Sequence, residues 1–225
     1  TNSGGTDFDY SSNFTFDGTT LTASQINVSD VSQGYEIGGD RMFYASSSSN
    51  GIVAVGFEAG LAGPGIRSVA IGKSALKSAT SAAVRNVAIG FNALDDLTDG
   101  DGNFGLGYNA LGNLISADSN VAIGDQAQRD NISGAENVAI GATSMTQNET
   151  GSFNIGIGSN ALANSISGNN NVAIGVEALL RSNATNSVAI GYQAARGATN
   201  GNFQNLTALG DGEGFALDTG ADDTS

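Results

Sequence analysis

Asn86-Val87-Ala88-Ile89-Gly90-Phe91-Asn92-Ala93-Leu94 returns in near copies from residue 52 almost to the end of the chain. Aligned on its glycine, the unit recurs at Gly56, Gly72, Gly90, Gly107, Gly124, Gly141, Gly158, Gly175, Gly191 and, more weakly, Gly210. The intervals are 16, 18, 17, 17, 17, 17, 17, 16 and 19 residues. A unit this short cannot bury a face alone, so a fixed period of this size specifies a solenoid in which each repeat is completed by its neighbours. Function is then expected on an extended surface rather than in an enclosed pocket.

The columns of the alignment carry the local reading. Three residues before the glycine stand Val53, Val69, Val87, Phe104, Val121, Val138, Ile155, Val172 and Val188; one before it stand Val55, Ile71, Ile89, Leu106, Ile123, Ile140, Ile157, Ile174 and Ile190. Between them every copy has Ala or Gly, as at Ala88, Gly105, Ala122 and Gly156. Large, small, large at period two is a strand whose two faces meet different surroundings. The reading is that one face packs apolar side chains and that the Ala/Gly face permits close approach, flat enough for subunits to meet. The glycine ends the strand at a bend that calls for positive φ. Three residues on, Ala59, Ala75, Ala93, Ala110, Ala127, Ser144, Ala161, Ala178 and Ala194, often followed by Leu, leave room for a second short strand. Four residues before the glycine, Asn86, Asn103, Asn120, Asn137, Asn154 and Asn171 occupy consecutive copies; stacked at one level, they can hydrogen-bond along the array and satisfy turn backbone. A helical reading of Ala-rich tracts such as residues 73–84 fails, because each unit would carry an interior Gly and its strongest columns are Val and Ile.

Outside the repeat, residues 1–50 read as an N-terminal β segment linking the solenoid to an upstream fibre, or equally as an irregular arm wrapped on a neighbouring subunit, with alternating runs around Asp17-Gly18 as a hairpin signal. A second β-like stretch covers residues 35–45, broken at Gly38-Gly39. The repeat domain spans residues 51–215, and residues 216–225 form an acidic C-terminal tail. Thr1 in place of an initiator Met points to a piece or a processed product of a longer protein.

Composition removes several chemistries. With no His and no Cys there is no Ser-His or Cys-His nucleophile pair, no thiolate and no zinc site of the usual kinds. Eight Lys plus Arg against 22 Asp plus Glu give a net charge of -14, which excludes the basic footprint of nucleic-acid or anionic-membrane binding. No apolar run approaches the roughly 20 residues of a membrane-spanning helix, so no membrane insertion is expected. No cofactor or metal is expected either. Gly105-Leu106-Gly107 and Gly156-Ile157-Gly158 imitate a dinucleotide fingerprint only as a by-product of the repeat, since no βαβ unit surrounds them.

At these columns the chain resembles the heads of trimeric autotransporter adhesins (YadA-like), whose repeats carry an N-S-V-A-I-G core spelled here by Asn186-Ser187-Val188-Ala189-Ile190-Gly191. The resemblance covers roughly residues 52–215. It implies an all-β, left-handed parallel β-roll of about ten coils, two short strands per coil, assembled as a homotrimer. The chain departs from that family in its longer period and in lacking a heptad stalk. Repeats of the form N-V-A-I-G-x-x-A-L also look like those of bacteriophage tail fibres, some of which mature by a cleavage that leaves a C-terminal Ser; Ser225 ends this chain. The resemblance implies an extracellular structural and adhesive module, on a virion or a cell surface, that binds a host glycan or protein receptor.

Two constellations bear on function. The position after the glycine varies freely, and there Phe91 and Tyr108 fall in adjacent coils, about 4.8 Å apart, as a small aromatic platform suited to sugar rings. With Tyr192 in the same column they are the receptor-contact candidates, the plain alternative being that they cover the roll edge or pack on a neighbouring subunit. Asp95, Asp96, Asp99 and Asp101, and Asp211 with Glu213, are the carboxylates that a polysaccharide-degrading tailspike would need. Both groups lie in Gly-rich loops, where solvated turn residues are the simpler reading, and no enzymatic activity is expected. Asp99-Gly100-Asp101-Gly102-Asn103 imitates a calcium loop without its distal Glu, and ice binding would want a Thr ladder that is missing.

Overall fold

The computed structural model describes residues 14–16, 21–23, 35–37, 40–45, 51–60, 67–181, 183–196, 204–211 and 217–218. Its strands in chain order are β1 (Phe14–Phe16), β2 (Leu21–Ala23), β3 (Tyr35–Ile37), β4 (Asp40–Ala45), β5 (Val53–Val55), β6 (Val69–Ile71), β7 (Val87–Ile89) and β8 (Phe104–Leu106). There follow β9 (Val121–Ile123), β10 (Val138–Ile140), β11 (Ile155–Ile157), β12 (Val172–Ile174), β13 (Val188–Ile190), β14 (Leu206–Leu209) and β15 (Leu217–Asp218). Strands β5 to β14 stack in sequence order as a parallel sheet, giving an all-β solenoid of about eight turns with repeats of about 17 residues and, among the described residues, no helix. Register is kept column over column, with Val87 beside Phe104, Ala88 beside Gly105 and Ile89 beside Leu106.

Antiparallel strands close both ends of this sheet. β4 pairs with β5 and carries β3, while β15 pairs with β14. An exposed parallel edge is a template for unwanted pairing, and an antiparallel cap withdraws it. The N-terminal β-like stretch at residues 35–45 therefore continues the solenoid sheet. The hairpin signal around Asp17-Gly18 corresponds to the separate antiparallel pair β1–β2, whose turn residues lie outside the described residues.

The interior reverses the facing expected from the strand pattern. The small column is inside: Ala70, Ala88, Ala122, Ala139, Ala173 and Ala189 are 0% exposed. The large columns face outward, and Ile71, Ile140, Ile174 and Ile190 are between 36% and 41% exposed. A coil of about 17 residues encloses a narrow lumen, and the alanines leave room in it for the side chains four residues after the glycine. Leu76, Leu94, Leu111, Leu162 and Leu179 fill that room and are fully buried. Volume is conserved where this pattern changes. The coil with Ser144 and Met145 in place of Ala and Leu faces Gly156, where an added Cβ would lie 2.9 Å from both Met145 Cγ and Ser144 Oγ. The subunit-facing role expected of the Ala/Gly column is thereby overturned, because those residues are already packed within the coil.

The expected second strand is also absent among the described residues; the segment after each glycine is a turn. It alternates left-handed residues, such as Asn92 at φ 53° and Leu94 at φ 52°, which ordinary strand geometry does not accommodate. Coils are still bonded to one another there: Leu94 N–H donates to Ala110 O at 3.0 Å and Asn92 N–H to Lys73 O at 3.0 Å.

A buried amide ladder runs beside the lumen. Asn86, Asn103, Asn120, Asn137, Asn154 and Asn171 are at most 1% exposed. The Oδ1 of each accepts from the backbone N–H of the residue in the same column of the next coil, and the next Asn in the column also donates its Nδ2; Asn154 donates to Asn137 Oδ1 in both ways, at 2.9 and 3.2 Å. The second Nδ2 hydrogen of Asn137 goes to Gly151 O at 2.8 Å. Ser68 Oγ and Ser187 Oγ continue the series at its ends, accepting from Asn86 N–H and Leu206 N–H. A buried amide has two donors and two acceptor sites, and this arrangement uses all four.

Candidate functional site

The residues after the repeat glycines form a surface column just beyond the bend that ends each strand. Phe91 and Tyr108, in adjacent coils, stack with ring centroids 5.5 Å apart and an interplanar angle of 12°. The stack is longer than the sequence suggested. Lys73 Nζ lies 5.6 Å from the Phe57 ring centroid and 5.5 Å from that of Phe91, so Phe57, Lys73, Phe91 and Tyr108 make a continuous ring–cation–ring–ring series. Phe57 and Lys73 stand in the same column of the alignment; what column and spacing did not supply was the reach of the lysine, long enough to bridge two rings. Phe91 and Tyr108 cover one face of each other, so this part of the column presents ring edges. Tyr192 lies five coils from Tyr108, about 24 Å at the spacing of β-strands, and its hydroxyl accepts from Gln193 Nε2 at 3.1 Å. The structure thus joins two of the three receptor-contact candidates and leaves the third apart.

Among the candidate carboxylates, Asp101 has other employment. Asp101 accepts from Val84 N–H at 2.9 Å through Oδ1 and from Arg85 Nη2 at 3.0 Å through Oδ2. Its own N–H donates to Asp118 Oδ1 at 2.7 Å. The same bond recurs six residues before later glycines, from Ala135 N–H to Ser152 Oγ at 3.0 Å and from Ser152 N–H to Asn169 Oδ1 at 2.8 Å. Asp101 is therefore one rung of a second side-chain ladder fastening coil to coil. Its column, with Asp118, Ser152 and Asn169, is visible in the sequence, but the loop setting alone reads as solvated turn residues. Glu213 lies outside the described residues, and among those described no group of His, Cys, Asp and Glu could hold a metal ion. Among the described residues, too, no helix is long and apolar enough to cross a membrane.

Asp95 is set apart by burial. Its Oδ1 is buried without a hydrogen-bond partner. Burial pushes its carboxyl up; Lys77 opposes the rise, and Asp96 and Glu58 add to it. A carboxyl that holds its proton more tightly when folded costs stability above its folded pKa, and the cost fades as pH falls to the unfolded value. Asp95→Asn is therefore expected to raise the melting temperature at pH 7 and to leave it unchanged below the ordinary carboxylate range. Melting curves at the two pH values check this, and an equal shift at both would show that the charge is not the cause.

The other surface that could meet a partner is the strand face itself. From β5 to β13 it presents two unbroken rows of Val, Ile, Leu and Phe, about 38 Å long at the usual strand spacing, with no charged residue in either row. That is on the order of 500 Å² of contiguous apolar surface, at the upper end of what monomeric proteins expose. No protein-family model, no curated protein and no solved structure matches the chain.

Proposed function

We propose that the chain is a structural and adhesive fibre module, a left-handed roll of about ten coils that assembles as a homotrimer in a phage tail fibre and takes part in attachment to a host surface. The observation that carries this reading is the outward Val/Ile face, which runs the length of the array. A face so regular and so free of charge fits a partner with the same repeat, and a second and third copy of this chain have it. Three such faces meeting about an axis would bury it in a rigid rod. The variable column that carries Phe91, Tyr108 and Tyr192 lies beyond the glycine bend and would stay available to a host glycan or protein. No catalytic role is assigned to the chain: Asp101 is held in the coil-to-coil ladder, and there is no His or Cys in the sequence.

Sedimentation equilibrium tests the assembly and is expected to return three chains per particle. Ile140→Lys combined with Ile174→Lys places two charges on the apolar face of each subunit, where desolvation is costly without a partner charge, and should abolish the trimer. A stable, folded wild-type monomer at micromolar concentration would overturn the proposal. For the adhesive part, the fluorescently labelled trimer should attach to cells of a bacterial host and compete with phage adsorption.

A further inference from the structure

Three consecutive coils depart from the rest of the array in one region. After the repeat glycine the column runs Phe57, Lys73, Phe91 and Tyr108, then falls to Asp125, Ala142 and Ser159 before Val176 and Tyr192. The same coils hold a shallow cleft of about 230 Å³. Towards each end of the array an acid two residues after the glycine meets a base five residues after the next glycine. Glu58 pairs with Lys77 at 3.5 Å and Glu177 with Arg196 at 2.7 Å. At the cleft the same positions hold Gln126 with Thr146 and Thr143 with Ala163, all uncharged and all part of its lining.

The lining is chemically uniform. Thr146 and Ala163 are buried and form the floor. Around it stand the carboxamides of Gln126, Gln147, Asn160 and Asn164, each able to donate and accept. The one charged group, Arg129, is neutralised by Asp130, to which Nε and Nη2 donate at 2.7 Å each, and is oriented by Gln126 Oε1 at 2.6 Å from Nη1. Each Nη keeps a second N–H. Gln147 and Asn164 make no side-chain hydrogen bond within the described residues. On a chain with net charge -14, a neutral cleft of mixed donors and acceptors suits neither an anion nor an apolar ligand. It suits hydroxyl groups, which also donate and accept. The volume is below the roughly 300–1,000 Å³ of pockets that enclose a drug-sized ligand, so it matches one or two sugar units of a longer chain.

We infer that this cleft binds a short stretch of neutral oligosaccharide. The inference deepens the adhesive reading and rests on it, naming the contact surface and the ligand class. One cleft per subunit of a trimer would give weak single contacts that add up on a dense glycan.

The test uses all 225 residues, with maltotetraose and chitotetraose as probes, followed by saturation-transfer NMR. Binding of at least one probe in the millimolar range is expected, falling about tenfold in the Gln147→Ala/Asn164→Ala double variant while the melting temperature holds. Absence of binding to both probes, or undiminished binding by the double variant, overturns the inference. Loss of binding in Tyr108→Ala but not in the double variant would overturn it too, moving the site to the aromatic series. Attachment of labelled protein to host cells separates the two levels. If wild type and double variant attach equally, the cleft assignment fails and the adhesive reading stands; if wild type neither attaches nor binds either sugar, both fail.

Discussion

Gly124→Val is expected to disorder the middle of the array, and Gly124→Ala to do nearly as much. Gly124 has φ +136°, and a Cβ built on it would lie 2.5 Å from the carbonyl oxygen and 2.6 Å from the carbonyl carbon of Gly141 in the next coil. Both are backbone atoms in a hydrogen-bonded array, with no rotamer to change. Positive φ alone does not demand glycine in this fold, since Gln126 at φ 55° and Gln128 at φ 49° sit in left-handed geometry in the same coil. What reserves the position is a φ far outside the left-handed well together with glycine stacked on glycine. A cost of about 3 kcal/mol or more follows for either variant, against the roughly 1–2 kcal/mol of an ordinary left-handed alanine. Because coils rest on their neighbours, the loss should spread first to the repeats on either side. Hydrogen exchange is the measurement: protection should fall through residues 103–145 before it falls at the ends. Unchanged protection there would mean that the coils can separate enough to admit a side chain.

Much of this architecture is legible from columns alone. The strand at Val87–Ile89, its in-register stacking on Phe104–Leu106 and the ladder of Asn86 and its successors all follow from period and residue type. The facing of the strand did not follow. Large, small, large normally buries the large residues, as a sheet packed on another layer would. Here the opposite layer is another part of the same coil, so Ala88 turns inward and Leu94 supplies the bulk, a choice set by lumen width rather than by hydrophobicity. The expected second strand fails for a related reason. Asn92 tolerates left-handed geometry and hints at it, but Leu94 at φ 52° carries no such signal, and its conformation is imposed by the bonds to the coils on either side. The cleft does not show in the columns, because the contrast of Thr146 and Ala163 with Lys77 and Arg196 acquires meaning only once the partners in neighbouring coils are known.

Asn137→Asp should be strongly destabilising at neutral pH and should recover on acidification. The change is nearly isosteric, so packing in the fully buried site is conserved and the hydrogen-bond pattern alone is altered. Oδ1 can still accept from Asn154 N–H and Nδ2. The Nδ2 that donates to Gly151 O at 2.8 Å and to Asn120 Oδ1 at 3.1 Å becomes an oxygen facing two acceptors. Ionised, the residue is a carboxylate buried against two partial negative charges, and several kcal/mol of destabilisation is the expected order. Protonated, it regains one donor and one of the two bonds. The folded-state pKa must therefore lie above the unfolded value of about 3.9, and the penalty is largest above the folded pKa and shrinks as pH falls through it. Melting temperature against pH should rise towards acid for Asn137→Asp relative to wild type. Asn137→Leu, which leaves Asn154 N–H without an acceptor at every pH while Gly151 O keeps only its bond from Asn148 Nδ2, should be destabilised by a similar order with no such recovery. If the two variants showed parallel pH profiles, the loss would come from packing, and the amide ladder would not be what holds the coils in register.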